Sequence, residues 1–151
     1  MTAPDFSVFV SYETKGGLAY ARLLKARLRS AELGAWVWHD DKTIGEIRDE
    51  EIANKIFELP HFVYICTDNS HESSGQKDER GLARTLGRVP VVVELEGAFV
   101  SPLLKARVRI PTTPALFERA CDEVAEEIQR REQIRVGDAH VEKEGQPLEP
   151  A

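Results

Sequence analysis

Apolar and polar positions fall in short alternating blocks along this chain. Phe6–Tyr12 (FSVFVSY) is a run of aromatic and β-branched residues, which predicts a strand. After a loop with Gly16 and Gly17, Ala21, Leu24, Leu28 and Ala31 recur three or four apart. That spacing marks the buried stripe of a helix, with Gly34 placed to close it as a C-terminal cap. Ala35–His39 (AWVWH) predicts a second strand, and Asp40–Asp49 a polar loop. Ile52, Ile56 and Leu59 form a second helical stripe, ended by Pro60. His61–Thr67 (HFVYICT) and Val89–Leu95 (VPVVVEL) are nearly all apolar, as strands buried on both faces are. Gly97–Lys105 reads as a short, weak connection. In Ala106–Ile110 (ARVRI), Arg107 and Arg109 alternate with Val108 and Ile110, the pattern of an edge strand. Pro111–Pro114 breaks the chain, and Phe117, Ala120, Val124 and Ile128 give the clearest amphipathic helix.

Strands and helices alternate throughout, which predicts an α/β fold with a parallel sheet covered on both faces. Right-handed crossovers favour a flavodoxin-like three-layer sandwich with five parallel strands in the order 2-1-3-4-5. Its domain spans residues 1–135. Residues 136–151 are polar and without periodicity, which predicts a disordered tail.

In such a sheet, ligands bind beyond the carboxyl ends of the strands, where the strand order reverses. That point lies between strands one and three. The loops Ser11–Gly17 and Asp68–Lys77 meet there, with Asp40–Asp49 beside them. Ser73 and Gln76 match a capping box, so a helix starts just after Ser73. Glu79 is three, four and seven residues before Leu82, Ala83 and Leu86, and so shares their inward stripe. Asp78 is turned about 100° away, one residue step of a helix. Glu72 precedes the cap and belongs to the loop. An acid on a buried stripe is costly unless it is paired or faces a polar cavity. Two readings of Glu79 therefore stand: an idle acid favoured by the helix dipole, or a carboxylate facing the crevice.

Composition narrows the chemistry. The chain has 151 residues, 42% hydrophobic, with a net charge of -6, and shows no basic stripe for nucleic acid. No apolar run suits a membrane span or a signal peptide. Cys66 and Cys121 read as buried free thiols, and no histidine or cysteine spacing suggests a metal site, which points to a reducing, cytoplasmic setting. Tyr12 either stacks on a base or caps the first strand. Trp36 and Trp38 alternate on a strand and so point to opposite faces, one of them in the core. His39, Lys42, Arg48 and Lys77 have solvated charge as their ordinary explanation, as do Asp40 and Asp41 as loop acids.

Taken together, FVSY after the first strand, then G-x-W-V-W-x-D (Gly34, Trp36, Val37, Trp38, Asp40), resemble the Toll/interleukin-1 receptor (TIR) domain. So do the polar loop before Ile52 and Ile56 and the Ser-rich loop before Glu79 and Ala83. The resemblance covers roughly Phe6 to Ile128. It implies a bacterial-type effector that cleaves NAD⁺ between nicotinamide and ribose, as a glycohydrolase or an ADP-ribosyl cyclase in antiphage, abortive-infection signalling. Glu79 matches the family's catalytic glutamate. Ser11, Tyr12, Glu13, Trp38, Asp40 and Ser73 would border the nucleotide, with NAD⁺ as substrate and no further cofactor or metal. Homo-oligomers through TIR–TIR contacts would activate it, with a trigger or a separate sensor or effector protein, and without nucleic acid or membrane. The alternative is a non-catalytic adaptor acting by self-association; a third reading is another N-glycosidic enzyme, such as a nucleoside deoxyribosyltransferase. Three positions depart from the family pattern. Gly75 and Gln76 stand where many members carry an aromatic residue, Asp40–Arg48 has no proline, and the last helix lacks a Phe-Trp pair. The last two point away from receptor signalling.

Overall fold

The computed structural model describes residues 5–70, 73–100 and 108–145, with side chains up to residue 137. Its sheet has five parallel strands in the order β2-β1-β3-β4-β5, as the sequence predicts. The strands are β1 (Phe6–Ser11), β2 (Gly34–Trp36), β3 (His61–Cys66), β4 (Val91–Leu95) and β5 (Val108–Thr112). The helices are α1 (Leu18–Ser30), α2 (Trp38–Asp41), α3 (Arg48–Glu58), α4 (Ser74–Thr85) and α5 (Phe117–Gly145). Strand β1 is central, pairing with β2 through Phe9 and Trp36 and with β3 through Ser11 and Tyr64.

Alternation along β1 divides the core. Val8 and Val10 face α1 and α5, joining Leu24, Leu28, Phe117, Val124 and Ile128. Phe9 faces α3 and α4, stacked between Trp36 at 5.5 Å and Phe62 at 5.6 Å. Ile52, Ile56 and Ala83 close that second layer, with Leu82 and Leu86 partly buried against it. Ser11 continues the Phe9 side of β1 and so points beneath α4. Among the described residues no helix is long and apolar enough to cross a membrane.

Several boundaries differ from expectation, each for a physical reason. The second strand stops at Trp36, because Asp41 turns back and accepts the Val37 N–H at 2.9 Å. This bond runs from the last residue of the short α2 back to the residue before it; Trp38, Asp40 and Asp41 are helical, and Trp38 does not continue the strand. Gly34 is not the helix cap. Glu32 takes the left-handed position (φ 62), with Glu32 N–H to Arg29 O and Leu33 N–H to Leu28 O closing α1. Gly34 instead opens β2, where a Cβ would lie 2.2 Å from the Asp5 carbonyl oxygen. The fifth strand runs to Thr112 and includes Pro111, which an edge strand tolerates because its outer side needs no N–H. Residues 101–107, including Arg107, lie outside the described residues. Helix α5 continues past Gly137 to Gly145, in a stretch expected to be irregular. Arg135–Glu132 pairing one turn apart supports the approach to it.

Candidate functional site

The site grows from the ends of β1 and β3. Glu13 follows β1 and is only 3% exposed. Its carboxylate turns inward and accepts from Lys15 N–H (2.6 Å), Gly16 N–H (2.7 Å) and the Thr67 hydroxyl (2.9 Å). It thereby ties the loop after β1 to the loop after β3. Gly17 completes this loop, since a Cβ there would fall 2.6 Å from the Glu13 carbonyl oxygen. Helix α4 starts where the sequence places it. The Ser73 hydroxyl accepts the Gln76 N–H at 3.2 Å. The reciprocal half of the capping box is absent. The Gln76 side chain is buried and donates through Nε2 to the Ile65 carbonyl at 3.0 Å, and its Oε1 has no partner among the described residues.

One turn into α4, Glu79 is half-buried and meets the end of β1. The Ser11 hydroxyl donates to Glu79 Oε1 at 2.6 Å. Burial pushes the Glu79 carboxyl up to about 7, against the Ser11 hydrogen bond and the Arg48 charge that favour its ionised form; Asp78 adds a smaller upward push. Above it opens a cleft of about 440 Å³, walled by Tyr12, Glu13, Arg48, Asn69, Ser73 and Asp78 among others. A narrower slot of about 180 Å³ runs on between α3 and α4, lined by Ile52, Ala53, Ile56 and Leu82. The two cavities share Arg48, Asp49, Gly75, Asp78 and Glu79. Gly75 lines both cavities, and a Cβ there would make ordinary contacts with Arg48 Nη2 and Ser73 Oγ, both at 3.9 Å.

Tyr12 borders the cleft and leans on α2. Its hydroxyl oxygen accepts the His39 backbone N–H at 3.1 Å, and the hydroxyl shares a second hydrogen bond with His39 Nδ1 at 2.5 Å. Burial pushes the Tyr12 phenol up to about 12. Burial, then Lys42, Arg48 and Arg22, lower the His39 pKa. Trp38 carries two cations over its ring, Lys42 at 4.5 Å and Arg48 at 4.7 Å.

Of the residues expected around the nucleotide, the structure brings Tyr12, Glu13, Ser73 and Glu79 to the cleft wall. Ser11 lies beneath the wall, fully buried. Trp38 stands behind Arg48, and Asp40 is engaged with Arg22 at 2.9 Å; neither lines the cleft. Asp78, expected to be turned aside, lines both cavities, and Glu72 lies outside the described residues. Arg48 is the residue that sequence reasoning undervalued. Its place at the first position of α3, next to a glycine-containing loop, was the available signal.

With this geometry in place, comparison with known families decides the lineage. The TIR-domain family model matches residues 8–126. The chain belongs to the TIR family. Among solved structures, it is similar to the TIR domain of the Toll-related receptor TRR-2 from Hydra magnipapillata. That match has 14% identity and a TM-score of 0.63, covering 87% of this chain and 97% of that one. A TIR-STING receptor from C. gigas matches at 18% identity and TM-score 0.64, covering 83% of this chain and 41% of the receptor. The TIR domains of the activated Roq1 resistosome match at 13% identity and TM-score 0.56, covering 86% and 77%. No curated protein sequence matches. At these identities the TIR structures share the fold of this domain.

Proposed function

We propose that this TIR domain cleaves NAD⁺ at the nicotinamide–ribose bond, with Glu79 as the catalytic carboxylate. The observation that carries the reading is the half-buried Glu79 carboxylate, held by Ser11 at the floor of an open cleft at the carboxyl end of a parallel sheet. Oε1 is engaged by Ser11, while Oε2 has no hydrogen-bond partner among the described residues and is left for substrate. As the N-glycosidic bond breaks, its electron pair goes to the pyridinium nitrogen and nicotinamide leaves neutral. No acid is needed for the leaving group. The ribose carbon becomes oxocarbenium-like, and a fixed carboxylate in a partly desolvated site stabilises that positive charge more than the ground state. Water or the adenine base then takes the carbon. A carboxyl that titrates near 7 suits receipt of the proton released in this step. Arg48 at the cleft mouth supplies the charge for a pyrophosphate.

A second reading, self-association without chemistry, rests on the loop before α3. Ile44 is 97% exposed and Ile47 is 62% exposed, apolar side chains that a partner surface would cover. The resistosome to which this domain is similar is an activated assembly. The two readings combine if assembly precedes turnover, in bacterial defence or elsewhere. The deciding experiment incubates NAD⁺ with concentrated wild type and with Glu79→Gln, and separates the products. Nicotinamide release by wild type that falls at least about a thousandfold in the variant supports catalysis. No release by wild type at any concentration, with assembly lost on Ile44→Asp, supports the adaptor.

A further inference from the structure

Ser11 was expected to touch the nucleotide, and its surroundings forbid that. It is 0% exposed, does not line the cleft, and lies in β1 opposite Tyr64 of β3. Its hydroxyl has one proton, and the structure commits it to Glu79 Oε1 at 2.6 Å across 68 residues of sequence. A β-strand position locked between two neighbours is more rigid than any loop donor, so the bond fixes a flexible glutamate from a rigid base.

We infer that Ser11 is a positioning residue for Glu79: its hydroxyl holds Oε1, so that Oε2 is the atom presented to the substrate in the cleft. This rests on the reading of Glu79 as the catalytic group. Two features of the site make the role specific. A glutamate has three rotatable bonds, and Ser11 is the only described side chain that hydrogen-bonds its carboxylate. Glu79 also lines both cavities, so open space lies on its other side and packing alone does not fix the carboxylate there. The charged and titratable groups facing Glu79 are Arg48 and Asp49 of α3, Asp78 of its own helix, Tyr12 after β1 and Tyr64 of β3. Replacing Ser11 leaves all of them in place.

The test compares Ser11→Ala with Ser11→Thr and Ser11→Cys. Two readouts are used: NAD⁺ turnover against pH, and ¹³C-NMR titration of the Glu79 carboxyl. In Ser11→Ala, kcat is expected to fall about tenfold or more, with KM within about twofold of wild type. The acid limb of the pH profile and the NMR midpoint should both move above about 7, because the lost hydrogen bond favoured the ionised form. Thr retains the hydroxyl and should restore both values, while Cys, a weaker donor, should fall between. An unchanged midpoint in a folded Ser11→Ala protein overturns the inference. So does a KM-only effect, or a Thr variant as impaired as the Ala variant. If Ser11→Ala fails to fold, Ser11→Cys carries the same comparison. Absence of turnover in wild type defeats the proposed function separately; the titration then still decides whether Ser11 governs the Glu79 carboxyl.

Discussion

Glu13 and Glu79 meet at the same end of β1, and the fold treats them in opposite ways. Glu13 is given two backbone N–H groups and a hydroxyl, and is spent on joining two loops. Glu79 is given one hydroxyl, and burial leaves its carboxyl poised near neutrality. Both are acids close to a helix start in sequence. The number of donors each receives differs, three against one. A buried carboxylate whose oxygens are taken by donors has little left to offer a ligand. One that is under-provisioned stays reactive, at a cost to stability.

The largest effect that sharpens this contrast is on turnover. Glu79→Gln should cut nicotinamide release by at least about a thousandfold while retaining the fold, by circular dichroism and melting temperature. Glu13→Gln should do the converse in kind. An amide nitrogen in place of either oxygen faces a backbone N–H, and the lost charge weakens the remaining bonds, costing about 2 kcal/mol or more and lowering Tm by about 4–8 °C. A Glu13→Gln protein that melts like wild type would break the comparison.

The next effect is the pH dependence of stability. The folded Glu79 carboxyl titrates near 7 against an ordinary 4.5, so the folded state holds a proton that the unfolded chain has released. Stability from this group is therefore full below about 4.5, declines as pH rises toward 7, and is flat above. Melting curves of wild type and Glu79→Gln between pH 4.5 and 8 should diverge in favour of the variant as pH rises. A constant gap would remove the poised carboxyl from the argument. The smallest effect is at the end of α1, where Glu32 holds φ 62. Helix α4 ends with the same pair of hydrogen bonds around Gly87, at φ 72. Glu32→Gly should raise stability by about 0.5–1 kcal/mol, read by denaturant midpoint.

The strand order and both faces of the core were legible because burial on two sides writes continuous apolar runs, as in His61–Cys66. Glu79 was legible because its spacing to Leu82, Ala83 and Leu86 is local. The fate of Ser11 and the tie from Glu13 to Thr67 were not, since those partners lie 68 and 54 residues away and no periodicity encodes such a bond. The short α2 was missed for a local reason. AWVWH has the composition of a strand, and a single aspartate four residues on, Asp41, overrode it by accepting the Val37 N–H. The Glu32 cap was missed because glycine is the usual occupant, and a glycine stood two residues away at Gly34.

The pair of cations over Trp38 gives the domain an optical property. It has two tryptophans, and Trp36 is fully buried against Phe9, insulated from events in the cleft. Trp38 instead reports the local field of Lys42 and Arg48, and Arg48 also lines the cleft. An anionic ligand that draws Arg48 toward itself strips one charge from the indole face. Its emission should then change in wavelength and intensity while that of Trp36 stays constant. The molecule thus carries its own fluorophore for occupancy, readable in the unlabelled protein, with Trp38→Phe, which keeps only the Trp36 emission, as the unresponsive control.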